Sequence, residues 1–89
     1  MMWSLEFSSS VLKDLRKTPT GDQERILKYL QKIAQLSSPR DCGKPLKGKK
    51  ELWRYRVGDY RMICTLEDKQ CTILVLVVRH RKNVYQGIT

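Results

Sequence analysis

Residues 52–85 read LWRYRVGDYRMICTLEDKQCTILVLVVRHRKNVY, three strand-like runs separated by two short turn signals. The first run, Leu52 to Val57, alternates strictly, with Trp53, Tyr55 and Val57 on one side and Arg54 and Arg56 on the other. That is the period of a half-buried strand. Gly58-Asp59 follows, and a two-residue loop with glycine first suits a type II′ hairpin. Such a loop sets Val57 against Tyr60, Arg56 against Arg61, Tyr55 against Met62 and Trp53 against Cys64, because opposed positions share one face. The hairpin then has an aromatic, apolar face and an arginine face. Like charges placed directly opposite cost up to about 1 kcal/mol. Folding alone gives no reason to set Arg56 against Arg61, whereas a polyanionic ligand does.

The third run, Cys71 to Arg79, is CTILVLVVR, nearly continuous apolar and β-branched. It reads as a strand in the middle of a sheet, covered on both faces. It ends in Arg79-His80-Arg81-Lys82, and the second loop decides which of these shares a face with Arg61. A two-residue turn at Glu67-Asp68 selects His80, a three-residue loop through Lys69 selects Arg81, and a bend at the strand end frees both. The two-residue turn also sets Cys64 opposite Cys71, within reach of a disulfide. Two reduced cysteines in a cytoplasmic sheet are the expectation adopted.

Upstream, Met2 to Phe7 alternates as MWSLEF, a short first strand with Trp3, Leu5 and Phe7 on one face. Ser8, Ser9 and Ser10 offer N-caps for a helix over residues 11–17, which Thr18-Pro19 ends. A second helix starts at Thr20 or Asp22 and runs to about Leu36, with Ile26, Leu27, Leu30, Ile33, Ala34 and Leu36 as its apolar stripe. Residues 37–50, SSPRDCGKPLKGKK, read as a loop. The fold class expected is α+β in one domain over residues 1–89: an N-terminal strand, a two-helix hairpin packed on the sheet, then a three-stranded antiparallel meander.

The chain has 89 residues and a formal charge of +9. From Arg40 onward twelve Lys or Arg stand against five Asp or Glu, while the first 39 residues hold six against four. The excess travels with the strands, so it marks a basic face suited to nucleic acid or an acidic protein partner. Cys42, Cys64 and Cys71 show no zinc-ligand spacing, and no carboxylate cluster is present to hold magnesium. Gly48 lacks the spacing of a phosphate-binding loop. No cofactor is implied. No run approaches the ~20 apolar residues of a membrane span, and Met1 to Ser10 lacks the pattern of a signal peptide, so a cytoplasmic protein is expected.

The order strand, two helices, meander, together with the segments PLKG, LWRYRVGDYRMI and VVRHRKNVY, resembles the RelE/ParE superfamily of bacterial toxins from type II toxin–antitoxin pairs. In its RelE branch the resemblance implies a metal-independent endoribonuclease that enters the ribosomal A site and cuts messenger RNA by attack of a ribose 2′-hydroxyl on the adjacent phosphate. Such chemistry needs a base, cations for the phosphorane charge and an acid for the leaving oxygen. The family's catalytic positions fall here on Arg54, Arg56, Arg61, Arg81 and Tyr85. Lys47, Lys49, Lys50, Arg79 and Lys82 would flank the cleft and contact RNA backbone.

The best-known members carry lysines in the first meander strand, where this chain has Arg54 and Arg56. Arginine stays protonated and grips phosphate bidentately, so it is a poor base. His80, the only histidine, suits proton transfer. It reads equally as the base or as an exposed strand-end residue between two arginines. Tyr85 could stack on a nucleobase with its hydroxyl at phosphate, or close the end of the core. The same resemblance admits a ParE-like inhibitor of DNA gyrase, or a catalytically degenerate basic binding module. Each implies a cognate antitoxin with an acidic or amphipathic segment, and a toxin–antitoxin hetero-oligomer.

Overall fold

The computed structural model describes residues 3–46 and 49–82, the side chains of Lys49 and Lys50 excepted. Strand β1 (Ser4–Phe7) leads into α1 (Ser9–Arg16) and α2 (Thr20–Ala34), followed by β2 (Lys44–Leu46), β3 (Lys49–Val57), β4 (Tyr60–Glu67) and β5 (Thr72–His80). One five-stranded sheet results, in the order β1-β5-β4-β3-β2. β1 runs parallel to β5 and every other pair is antiparallel.

Both helices form for local reasons. Ser8 caps α1 by accepting the amide of Val11 at 3.2 Å, satisfying one of the amides a helix start leaves orphaned. Proline at 19 separates the helices, and Thr18 Oγ1 donates to the carbonyl of Asp14 at 2.8 Å. Along α2 the residues Ile26, Leu30, Ile33 and Ala34 recur on one face and are buried. They pack with Val11 and Leu15 of α1 against Tyr55, Met62, Cys64, Leu66, Ile73, Val75 and Val78 of the sheet. Each large side chain so buried contributes about 1.5–3 kcal/mol, and this layer fixes which way every strand faces.

The β3–β4 hairpin has the expected register, Val57 to Tyr60, Arg56 to Arg61, Tyr55 to Met62 and Trp53 to Cys64. Of its two loop residues only Gly58 has positive φ, at +56°, as a type II′ turn requires.

The β4–β5 connection differs from both of the loops expected for it. Asp68–Gln70 form a 3₁₀ turn and Cys71 closes it in the left-handed region at φ +47°, so that Glu67 pairs with Thr72. Cys64 therefore lies opposite Val75, not Cys71, and all three cysteines are free. Burial pushes the Cys64 thiol up to about 12.

A second departure follows along β5. Cys64 pairs with Val75 but Ile63 pairs with Val77, leaving Leu76 as an extra, bulged residue. The stretch read as a loop over 37–50 contains a 3₁₀ turn, Pro39–Cys42, and the edge strand β2, and β3 begins at Lys49. β5 is interior to the sheet as expected, but Leu74, Leu76 and Val77 are only half-buried, since among the described residues no second layer covers the face away from the helices.

Tyr55 ties the 3₁₀ turn to the core. Its ring is 1% exposed and its hydroxyl donates to the carbonyl of Pro39 at 2.8 Å. A Cβ at Gly43 would lie 2.8 Å from that ring, so the backbone passes closer than any other residue allows. Nearby, Arg40 stacks over Trp53 at 5.5 Å and makes two 2.8 Å hydrogen bonds to the carboxylate of Asp68. The pairing holds that carboxylate below its ordinary range. Replacing Tyr55 with Phe leaves a buried carbonyl unpaired and is expected to cost about 1–3 kcal/mol. A denaturant midpoint equal to that of the parent would contradict this account of the turn.

Candidate functional site

Because Tyr55, Met62 and Val78 are drawn into the core, their neighbours along each strand point to the opposite face, away from the helices. Register then aligns Arg56 with Arg61 and Arg61 with Arg79, a row of three arginines across β3, β4 and β5. Neighbouring strands lie ~4.8 Å apart. The next row on the same face is Lys44, Arg54, Ile63 and Val77. Arg54, Arg61 and Arg79 are half-buried, and Arg56 and Lys44 are exposed. Arg54, Arg56, Arg61 and Lys44 line a cleft of about 220 Å³ with Tyr29, Cys42 and Tyr55 at the rim of the sheet.

Chemically the cleft is a cation cradle. Guanidinium forks match the oxygens of a phosphate bidentately. The Nε of Arg61 is buried without a hydrogen-bond partner among the described residues, as is Thr65 Oγ1 four positions along the same strand and face. An unpaired buried donor costs free energy that a ligand oxygen would recover. Tyr29 and Tyr55, the two phenols at the rim, are pushed above the usual phenol range, chiefly by burial. They hold their protons and cannot act as bases.

The candidate residues do not all converge. Arg54, Arg56 and Arg61 come together with Arg79, which on sequence grounds was expected only to contact RNA backbone. His80 lies on the other face. The bulge at Leu76 shifts β5 by one residue, so His80 pairs with Tyr60 on the helix side, its ring edge-on to that of Tyr60 at 5.3 Å. Tyr60 in turn donates to Asp22 Oδ2 at 3.1 Å.

Arg81 has left the strand. Its amide donates to the carbonyl of Asp59 at 2.6 Å and its guanidinium lies 3.8 Å from the Asp59 carboxylate, at the β3–β4 turn. Lys82 is exposed, with its amide donating to His80 Nδ1 at 3.3 Å. Lys47 and Tyr85 lie outside the described residues, and for Lys49 and Lys50 only the backbone, in β3, is described.

Lys44 was missed because its stretch reads as loop. It reaches the face by pairing with Arg54 at the sheet edge, a register that no local pattern announces. Tyr29 and Cys42 reach the rim by tertiary packing and left no pattern to read. Among the described residues no cluster of His, Cys, Asp or Glu could hold a metal, and no helix is long and apolar enough to cross a membrane.

Residues 5–85 match the family described as ParE toxin of type II toxin-antitoxin system, parDE. The chain belongs to the RelE/ParE superfamily of toxins from type II toxin–antitoxin systems. Toxin RelG of Mycobacterium tuberculosis is 33% identical, over 97% of this chain and 99% of that protein. The toxin–antitoxin complex RelBE2 of the same organism superposes with a TM-score of 0.82 at 24% identity, over 91% of this chain and 93% of that one, which establishes the shared fold. The archaeal RelE–RelB complex of Pyrococcus horikoshii matches over the full length of both chains at 26% identity, with a TM-score of 0.75.

The superfamily fold thus carries its positive charge here as a cross-strand arginine row. Repulsion within the row makes stability depend on screening. Arg61→Met is expected to leave the melting temperature at low salt equal to or above that of the parent, by up to about 1 kcal/mol of relieved repulsion. Added salt should raise the parent more than the variant. A variant melting well below the parent would show the row to be structural.

Proposed function

We propose that this toxin is a ribosome-dependent endoribonuclease that cuts messenger RNA in the A site. The observation that carries the reading is the alignment of Arg56, Arg61 and Arg79 on the face away from the helices, with the Arg61 Nε buried and without a hydrogen-bond partner among the described residues. The 2′-oxygen attacks the adjacent phosphorus and the bond to the 5′-oxygen breaks. A 2′,3′-cyclic phosphate is left upstream and a 5′-hydroxyl downstream.

In this reading Arg61, at the centre of the row, takes the developing charge of the phosphorane. Arg56 and Arg79 hold its non-bridging oxygens, and Arg54 with Lys44 steers the neighbouring phosphate. The described part of the face supplies cations and no base. The 2′-proton passes to solvent, and the leaving oxygen is reprotonated by solvent or by the Tyr85 phenol. His80 serves the helix side and takes no part.

The test is purified toxin on ribosomes programmed with a defined message, with 5′ ends mapped by primer extension. Cuts within the A-site codon are expected, with naked RNA spared. Arg61→Ala and Arg79→Ala should each lose about 100- to 1,000-fold, the scale of removing one preorganised charge-stabilising donor, while His80→Ala cuts near the parent rate. Cuts undiminished in Arg61→Ala would refute the assignment. The match to a family described as ParE supports a second reading, inhibition of DNA gyrase. Intact message together with blocked supercoiling would select it.

The related RelE–RelB complexes support a cognate antitoxin here too, an acidic or amphipathic segment covering the arginine face in a hetero-oligomer. Binding to the native state alone must raise stability, by about 2.7 kcal/mol at 100 times Kd. Equal melting with and without the partner would exclude contact with the folded toxin.

A further inference from the structure

One residue outside the arginine face bonds both carbonyls around the β5 bulge. The amide of Ser8 donates to the carbonyl of Val75 at 3.0 Å, and its hydroxyl donates to the carbonyl of Leu76, the bulged residue, at 3.3 Å. In a regular strand successive carbonyls point to opposite sides, so one residue cannot bond both. Here the bulge turns the Leu76 carbonyl towards the start of α1. The same hydroxyl accepts from the Val11 amide at 3.2 Å and lies 3.1 Å from Ser10 Oγ, which fills its hydrogen-bonding capacity.

The bulge decides which residue faces Arg61. Between Glu67 and Cys64 the pairing places Thr72 to Val75 in unbroken register. Continued without the extra residue, it would set Val78 opposite Arg61 and Arg79 beside Tyr60 on the helix side. With Leu76 set out of the ladder, Arg79 completes the row. We propose that Ser8 is a positioning residue: by capping α1 and holding the Leu76 carbonyl at once, it locks β5 into the register that brings Arg79 opposite Arg61. The consequence for RNA cleavage rests on the endonuclease reading; the register itself does not.

Three substitutions separate the two jobs of the hydroxyl. Ser8→Thr keeps both. Ser8→Asp still caps the helix, since a carboxylate accepts from Val11, but it cannot donate to Leu76. Ser8→Ala loses both. Register is read by cross-strand nuclear Overhauser effects between Arg61 and Arg79 on the full chain, and function by message cleavage on ribosomes.

Ser8→Thr is expected to keep both readouts. Ser8→Asp should keep the α1 cap yet weaken the Arg61–Arg79 Overhauser effects and lower cleavage about tenfold or more, since an ångström of misplacement can cost about 100-fold. Overhauser effects between Arg61 and Arg79 as strong in Ser8→Asp as in the parent would overturn the proposal, whatever the cleavage rate. If the parent chain cuts no message and Ser8→Asp still weakens those effects, the register role of Ser8 is upheld and only the nuclease reading is refuted.

Discussion

Burial of one face of the sheet is the constraint from which the rest follows. Tyr55, Met62 and Val78 sit in three adjacent strands and are at most 3% exposed beneath α1 and α2. In a pleated strand the neighbour of an inward residue must point outward. Arg54, Arg56, Arg61 and Arg79 are thus held on the far face by apolar residues that never touch a ligand. The free energy that keeps like charges in line comes from the core, and a row of cations alone would not stay assembled.

This also accounts for how much of the molecule could be read from its sequence. The β3–β4 hairpin was legible because strict alternation and a glycine-led two-residue turn act locally, and each constrains the other. The helices were legible through the stripe on α2 and the proline at position 19. The second hairpin was not. Its loop is closed by Cys71 in a left-handed conformation that cysteine seldom adopts, and its bulge depends on a hydroxyl nearly seventy residues away. Together the turn and the bulge set which face His80 and Arg79 occupy. The sequence alone therefore left His80 open as a base, whereas the fold seats it against Tyr60.

The chemistry of the face is correspondingly one-sided. Arginine offers charge and fixed geometry but holds its proton, and the phenols nearest the cleft are made less acidic by burial. Such a surface favours a transition state richer in negative charge than the ground state, and it does so by arrangement rather than by proton transfer. It also sets Arg56 directly against Arg61 and leaves the Arg61 Nε buried without a hydrogen-bond partner among the described residues. An anionic partner offsets both penalties, so a face that would suit a polyanion would suit an acidic inhibitor equally.

The bulge at Leu76 has a bearing on how such chains diverge. Strand faces depend on parity, so the four-residue link Asp68–Cys71 and the single extra residue at position 76 act as two switches in series. Gaining or losing one residue at the link alone turns Arg79 inward and His80 outward. A change of two leaves the row intact. Where the link differs by one, a compensating change between it and the arginine is required. In aligning distant relatives, a lone single-residue gap between the two arginines is thus a warning that the basic row has been misassigned, and a matched pair of gaps is what a preserved row would leave behind.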